Sequence, residues 1–499
     1  MTVEFSRPRR LHPATMVIEA LRGLRSWSGA IAFPVLASVF GDRSGSVVGL
    51  LVVMLVVIAA GAAAWGYASW RATSYDVRGG MFVFRRGIVQ KSERSIPIDH
   101  IQSVDTVQGV VQRLFRVVEV RIETAGGGSS GRGRDSADAA LPALSRSVAT
   151  ALQAELAAAR PEPVEAEQAE AAGPTLIRRM GFGDVLLAGA TSGQIGIALP
   201  LIYGASQYFD NLFSEERIRG LVGSVLPGTF AAVAFILGAV LLLSWLAAII
   251  GTFWAYYGFT LYRDGENLRI TRGLIERREV TIPISRIQAV RTVEGVLRQP
   301  LGLALVRMES AGYGKDAGVS MTLFPLLPRK AAAAFLEAVA PEFAAAPELR
   351  PLPPRSLRRY VFRESWPWTV LIAPAVLVPI LADLQPPDWY LWAAPLGLAA
   401  AIGLSALYGW AQYRSAGWAC ERDCIVVRTR RLARTTLIAP RRRLQSRSVA
   451  QTPFQRRRRL ATFRIEVASS GGGASASLVD MDAEEAFAAV QQLAPNPAA

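Results

Sequence analysis

A chain of 499 residues with net charge +15, only 19% charged residues and a positive mean hydropathy is too apolar for a wholly soluble protein and too long for one domain. The basic excess is arginine, since lysine stands only at Lys91, Lys315 and Lys330. Two histidines, His12 and His100, and two cysteines, Cys420 and Cys424, leave little with which to build a metal centre; paired carboxylates, a phosphate loop and a nucleophile elbow are missing, so neither an enzyme nor a cofactor is expected.

Residues 1–25 form a basic lead-in. No small-residue cleavage site follows the first apolar run, so that run is expected to stay as an anchor. A hairpin of apolar runs at 27–40 and 47–70 fills 26–70; the first run is short for ~30 Å of hydrocarbon and needs residues 21–26 to reach across. A polar domain occupies 71–160. Within it, 81–89 reads as strand, glycine turn and strand, and 117–124 alternates apolar and polar residues as a half-buried strand does. A closing helix at 145–159 takes an apolar stripe from Leu144, Val148, Leu152 and Leu156. The glycines at 126–128 lack the lysine and helix entry of a phosphate cradle and read as a hairpin tip.

A linker and second lead-in at 161–180, rich in Pro, Glu and Ala, reads as an extended spacer. A second hairpin covers 181–257, with runs at 185–208 and 221–257; the latter is too long for one upright span and is expected to tilt or to emerge toward the next domain. A polar domain at 258–343, a proline-rich linker and lead-in at 344–365, a third hairpin at 366–413 with runs at 366–384 and 389–413, and a last polar domain at 414–499 complete the chain. Aromatic residues such as Trp65, Trp70, Trp254, Tyr257, Trp366, Trp389, Trp410 and Tyr413 collect at the ends of the runs, where headgroups lie. Arginines fill the lead-ins and domains, whereas the hairpin turns hold Asp210, Glu215, Glu216, Asp383 and Asp388. The positive-inside rule then places both termini and the three polar domains in the cytoplasm of a bacterial multi-pass membrane protein.

The three polar domains are copies of one another. Ile96-Pro97-Ile98-Asp99-His100-Ile101-Gln102 recurs as Ile282-Pro283-Ile284-Ser285-Arg286-Ile287-Gln288 at a constant offset of 186 (283 − 97), and as Ala439-Pro440-Arg441-Arg442-Arg443-Leu444-Gln445 at 343 (440 − 97). The proline removes a ladder donor and marks an edge or bulge, Ile98 and Ile101 suit a core, and the glutamine amide suits a backbone tie. Pro97, Gln102, Pro283, Gln288, Pro440 and Gln445 therefore read as structural. Arg121, Arg307 and Arg464 each precede Glu123, Glu309 and Glu466 by two positions, which reads as pairing along or across strands. His100 is replaced by Arg286 and Arg443, so no catalytic role is expected of it.

The succession of strand, Arg-Gly-Ile/Leu turn, Ile-Pro-x-x-x-Ile-Gln-x-Val, apolar strand and glycine-rich break, set directly after two spans, resembles the bacterial pleckstrin-homology-like (PH-like) domain, also called the membrane-flanked domain. Three copies resemble the YdbT-like arrangement of that family. The resemblance implies an α+β membrane protein with six transmembrane helices as three hairpins, each followed by a cytoplasmic PH-like β-domain, a bent antiparallel sheet or small barrel with a C-terminal helix. It implies little about activity, because this fold serves lipid binding, peptide binding and oligomerisation alike.

The third copy departs from the pattern. Arg428, Arg430, Arg431, Arg434, Arg441, Arg442, Arg443, Arg447, Arg456, Arg457, Arg458 and Arg459 give it a dense basic surface beside the membrane. Such a surface suits anionic lipid headgroups, a protein partner or plain topogenic charge; sparse aromatic interleaving argues against nucleic acid. Cys420 and Cys424, taken as one strand, stand ~13 Å apart at ~3.3 Å per residue, too far for a disulfide. The expected function is a non-enzymatic membrane scaffold or binding protein whose domains bind one another, a partner membrane protein, a second copy or anionic headgroups. A role in envelope stress or bacteriocin resistance sits with this reading. The alternative is a transporter that uses the hairpins as a pathway, with Asp184 and Gln194 as the polar residues to watch.

Overall fold

The computed structural model describes residues 5–26, 45–88, 90–124, 139–158, 174–192, 229–310, 322–344, 347–381, 388–421, 423–468 and 474–493. The expected run at 27–40 and its turn, the glycine-rich breaks, the linker at 159–173, Gln194, Asp383 and the acidic turn with Asp210, Glu215 and Glu216 lie outside the described residues.

Every domain begins before its hairpin. Strand β1 (Arg9–Arg10) pairs with β2 (Ser74–Arg78), setting Arg9 opposite Tyr75. In the second copy β8 (Thr175–Arg179) pairs with β9 (Thr260–Asp264), and in the third β15 (Arg350–Pro351) pairs with β16 (Gly417–Glu421). The lead-ins are thus more than tails. Each hairpin segment falls in the chain between two neighbouring strands of one sheet, so both of its ends lead into the same β-layer. The charged part of the first lead-in continues as a helix (Ala14–Ser26), and that of the third is the opening of the helix Arg355–Leu381, which runs unbroken into the expected span.

Two more strands complete each first sheet: β3 (Met81–Arg86) and β4 (Ser92–Pro97); β10 (Asn267–Arg272) and β11 (Arg277–Pro283); β17 (Cys424–Arg430) and β18 (Arg434–Pro440). The glycine turn between the members is sterically required. Gly87 and Gly273 sit at φ +114 and +104, and a Cβ would strike the carbonyl of Gln90 or Glu276. In the second copy this turn also caps the helix Thr229–Tyr256, since the amides of Gly273 and Leu274 donate to the carbonyls of Tyr257 (2.8 Å) and Trp254 (3.0 Å) at its C-terminal end.

The Ile-Pro motif is the corner that turns the chain from the first sheet into the second. Pro97, Pro283 and Pro440 end β4, β11 and β18, and a single 3-10 turn follows each: Ile98–His100, Ile284–Arg286 and Arg441–Arg443. Ile98 and Ile101 are 1% exposed, and Ile284 and Ile287 are likewise buried. In the third copy Arg441 replaces the isoleucine and lies half-exposed. Gln288 Nε2 donates to the Arg286 carbonyl at 3.1 Å, within the turn; Gln102 and Gln445 occupy the same place on their strands. The second sheets follow: β5 (Ile101–Gln108), β6 (Val117–Thr124) and β7 (Ala139–Ser145); β12 (Ile287–Glu294), β13 (Leu303–Ser310) and β14 (Thr322–Pro328); β19 (Leu444–Ala450), β20 (Leu460–Val467) and β21 (Ala474–Asp482). Glu309 pairs across strands with Arg291 (3.0 Å), and Arg464 along its strand with Glu466 (3.4 Å). Helices Arg146–Ala158, Ala332–Val339 and Ala483–Gln492 close the copies. Leu152 and Leu156 of the expected stripe are completely buried, each contributing roughly 1.5–3 kcal/mol of burial.

Neighbouring domains share sheets. β5 runs antiparallel to β11, giving a seven-stranded sheet in the order β7-β6-β5-β11-β10-β9-β8, and β12 runs antiparallel to β18, giving β14-β13-β12-β18-β17-β16-β15. The chain falls into two compact units; the second domain is split between them at Pro283 and Ile284, Gly183–Thr252 goes with the second unit, and each seven-stranded sheet lies within one unit. The first unit packs Phe5, Tyr75, Phe82, Ile122, Leu141 and Leu152 into one core; the second packs Trp418, Ile425, Leu437, Phe463, Leu478 and Met481 into another.

Among the described residues two helical stretches are long and apolar enough to cross a membrane, Gly238–Tyr256 and Tyr390–Ser415, and few of the residues in either are buried. Each hairpin closes at its base on a glycine. A Cβ at Gly66 of the Gly45–Ala72 helix would strike the Met16 carbonyl, and one at Gly409 would lie 2.7 Å from the Tyr360 carbonyl. These two glycines are one repeat position (409 − 66 = 343). In the second hairpin the small residue changes sides, with Gly189 against Ile249 and Thr252. The expectation for the cysteines is corrected. Asp423, at φ +62, turns the chain between them, so Cys420 lies on β16 and Cys424 on β17 rather than on one strand, and both are free thiols.

Candidate anion-binding site

The shared sheet of the first unit carries a cavity of about 730 Å³ where its two domains meet. Arg269 and Arg272 reach it from β10, Arg277 from the start of β11, and Arg179 from the end of β8; Arg146 opens the closing helix of the first domain, and Arg113 sits on the short helix Val110–Leu114 between β5 and β6. Tyr257 and Gly258, the residues that follow the membrane helix Thr229–Tyr256, form another wall. The cavity therefore lies beside the C-terminal end of that helix. Glu279 is the single carboxylate among the described lining residues, and Arg269 already engages it.

Arg272 is the most constrained of the group. It is 4% exposed, its guanidinium stacks over Tyr256 with 5.7 Å to the ring centroid, and its Nη2 lacks a hydrogen-bond partner. Burial pushes its pKa down to about 10, so it stays charged at neutral pH. A buried, charged, incompletely bonded guanidinium beside five others calls for an anion, because a lone buried charge is costly unless it is paired.

The second shared sheet supplies an internal control. There Glu294 faces Arg434 in the strand pairing, is 2% exposed, and accepts from Arg434 Nη1 at 3.1 Å with Arg329 Nε at 3.6 Å. Burial pulls the Arg434 pKa down and the Glu294 carboxylate opposes it. The same register in the first unit sets Gln108 opposite Arg277, with Arg146 in the place of Arg329 as the first residue after the last strand. Gln108 gives its Nε2 to the Val117 carbonyl at 3.1 Å and brings no negative charge. One copy of the junction is neutralised from within; the other has an amide where that carboxylate stands.

The arginines singled out in the third domain differ in their surroundings. Arg434 is held by Glu294, and Arg442 and Arg443 take the two oxygens of Glu342 at 2.6 and 2.5 Å, with Arg443 also over the Phe343 ring. Arg441 stands 3.9 Å from Asp423, Arg447 donates to the Leu493 carbonyl, and Arg430 reaches Ser415 Oγ at 3.5 Å. Arg431 is exposed in the β17–β18 turn. Arg456, Arg457, Arg458 and Arg459 are exposed together, on and just after the short helix Pro453–Arg456. Arg457 and Arg458 line a second cavity, of about 870 Å³, with Arg355, Arg358 and the exposed rings of Phe362, Trp366 and Phe454, at the foot of the third hairpin.

The connection between the first two strands of each second sheet is the element common to these places. It exposes Val110 and Leu114 (61% and 78%) in the first copy, Val296 and Leu301 in the second, and Phe454 in the third. Buried Arg298 ties the second of these connections to the hairpin through the Ala188 carbonyl (3.0 Å) and Thr191 Oγ1 (3.1 Å). Apolar side chains displayed beside arginine at a membrane helix suit an interfacial position. Sequence reasoning passed over Arg113, Arg146, Arg179, Arg272 and Arg277. The signal was present, since Gln108 and Glu294 are one repeat position (294 − 108 = 186), and the exchange of amide for carboxylate is visible once that register is used.

The bacterial PH domain matches the chain three times, at residues 31–160, 219–342 and 371–496. UPF0699 transmembrane protein YdbT of Bacillus subtilis (strain 168) is 28% identical over 500 residues, covering 96% of this chain and 97% of that protein. No solved structure matches the chain. Both names describe a membrane protein or a PH domain, and neither names an enzyme. With three copies of the domain and a full-length transmembrane relative, the chain belongs to the bacterial PH domain family as a three-copy, YdbT-like membrane protein.

Proposed function

We propose that the protein is a non-enzymatic scaffold of the bacterial cytoplasmic membrane that holds an anionic lipid headgroup, through its phosphate ester, at the junction of its first two PH-like domains. In this reading six transmembrane helices form three hairpins, and both termini and all three domains are cytoplasmic, as the arginine-rich domains and acidic turns favour. The observation that carries the reading is the arginine-lined cavity beside the C-terminal end of the helix Thr229–Tyr256, in the one copy of the junction where an amide replaces the internal carboxylate. Guanidinium groups match phosphate oxygens in charge and geometry, and the end of a membrane helix is the depth at which headgroup phosphates lie. Arg456, Arg457, Arg458 and Arg459 add a more diffuse attraction beside Phe454, at about 1 kcal/mol per base near an anionic surface. A transport pathway gains no such support: the Ser244 and Ser405 hydroxyls bond carbonyls of their own helices at 2.7 and 2.8 Å.

The test uses the full-length protein in nanodiscs of neutral lipid, titrated separately with a short-chain phosphatidylglycerol, a short-chain phosphatidylcholine and inorganic phosphate. The anionic ester is expected to bind at least about tenfold more tightly than the neutral one, a preference of roughly 1.4 kcal/mol. The Arg146→Gln/Arg277→Gln variant is expected to lose that preference. Equal affinity for the two lipids sinks the proposal, and tight binding of inorganic phosphate alone would assign the site to a soluble anion instead.

A further inference from the structure

The same strand pairing occurs twice along the chain with one register. Gln108 faces Arg277, Val107 faces Arg278 and Thr106 faces Glu279 where β5 meets β11; Glu294 faces Arg434, Val293 faces Thr435 and Thr292 faces Thr436 where β12 meets β18. Carried back by the repeat offsets, 277 and 434 both fall on position 91 of the first copy (277 − 186; 434 − 343), and 294 falls on 108 (294 − 186). The first strand of a second sheet thus recognises the last strand of the next domain's first sheet. Two strands lack this partner among the described residues: β4, at one edge of the sheet β1-β2-β3-β4, and β19, at one edge of the sheet β19-β20-β21.

Their exposure agrees with that vacancy. Ser92, Glu93, Arg94 and Ser95 of β4 are all exposed, whereas at the equivalent positions Val280 of β11 and Leu437 and Ile438 of β18 are buried. Gln445, Ser446, Ser448 and Ala450 of β19 are exposed, whereas their equivalents in β12 are buried (Ala289) or half-buried (Gln288, Arg291 and Val293). No proline interrupts either edge before Pro97, and neither strand bulges where the pairing would fall. The second domain has both of its corresponding strands, β11 and β12, paired at once, so engaging one edge does not block the other.

We propose that β19 of one copy of this chain pairs antiparallel with β4 of a second copy, so that the protein assembles head to tail by the junction it already uses twice internally. This deepens the scaffold reading by naming its protein partner as a second copy. The expected register is Ala450 opposite Ser92, Val449 opposite Glu93, Ser448 opposite Arg94 and Arg447 opposite Ser95, with Gln451 opposite Lys91 just beyond. No like-charged pair meets in that register. Gln451 is already posed as its equivalent is: its Nε2 donates to the Leu460 carbonyl at 3.0 Å, as Gln108 does to Val117, and 460 is 117 carried forward by the same offset (460 − 117 = 343). A main-chain ladder with polar side chains suffices, because the β5–β11 junction is built on Arg277, Arg278 and Glu279. The contact is heterologous, so copies either close into a ring or extend as a file along the membrane.

The test is oxidative crosslinking in native membranes of the full chain carrying Val449→Cys and Glu93→Cys in a Cys420→Ser background. Opposed residues in an antiparallel pair have Cβ atoms about 4.5–5.5 Å apart, within reach of a disulfide. A ladder of covalent multimers is expected, and it is expected to be lost when Cys is moved from Glu93 to Arg94, because a one-residue slip turns the side chain to the other face. Absence of the ladder, an internal link that leaves only monomer, or an equal ladder from the slipped pair would each overturn the proposal. Glu93 is exposed and Val449 is partly buried against the core of the third domain, so a reduced sample run on sizing in mild detergent reports folding independently. The lipid titration does not depend on this contact, so either idea can fail without the other.

Discussion

Gln108 and Glu294 occupy one position of the repeat, and the single change from amide to carboxylate separates an open arginine cluster from a closed one. Exchanging them tests that directly. Gln108→Glu is expected to bring a carboxylate to Arg277 and Arg146, as Glu294 does for Arg434 and Arg329, and to abolish the preference for anionic lipid without loss of thermal stability. Glu294→Gln is expected to lower the stability of the second unit by about 1–3 kcal/mol, since a nearly buried carboxylate leaves two guanidinium groups behind, one of them substantially solvated. Thermal unfolding and the lipid titration of both variants check the pair. At this scale the sequence was legible only in part. The density of arginines in the third domain drew attention, yet Arg434, Arg442 and Arg443 turned out to be paired with Glu294 and Glu342, residues more than a hundred positions away or nearly so. Their partners belong to the preceding domain, and nothing local in the sequence announces them.

The corner motif is the element that the sequence spelled most plainly. Buried isoleucines, a proline that ends a strand and a glycine at positive φ in the turn before it leave residue-type signatures in the first two copies, and the proline alone carries the corner into the third. What stayed hidden was that β1, β8 and β15 precede the hairpins, because strands of two to five residues with arginine in them carry no clear period. The close approach at the base of each hairpin is similarly a matter of one residue. Gly409→Leu is expected to force the helices Arg355–Leu381 and Asp388–Ser415 apart and to cost about 1–3 kcal/mol, whereas Gly403→Leu, where a Cβ meets nothing within 4 Å, is expected to be near neutral. Thermal unfolding of the full chain in nanodiscs separates the two, and equal effects would refute close packing at Gly409.

For the molecule as a whole, the repeat suggested three domains in a row, and the strand pairings show how consecutive domains are joined: through sheets that belong half to one copy and half to the next. Edge-to-edge pairing of this kind is settled by three-dimensional register and exposed main chain, which the side-chain pattern of β5 or β11 alone does not reveal. It makes the linkers secondary to the sheets in fixing each domain against its neighbour, and it creates the junction in which the arginine cavity lies. The most direct measurement is therefore a disulfide across that junction. Thr106→Cys with Glu279→Cys, opposed in the β5–β11 register, is to be oxidised in native membranes in a Cys420→Ser background beside Arg464→Cys with Ser477→Cys, opposed within the third domain. Both pairs are expected to form an internal link in most chains. A link within the third domain but none between β5 and β11 would contradict the shared sheet and the site built on it.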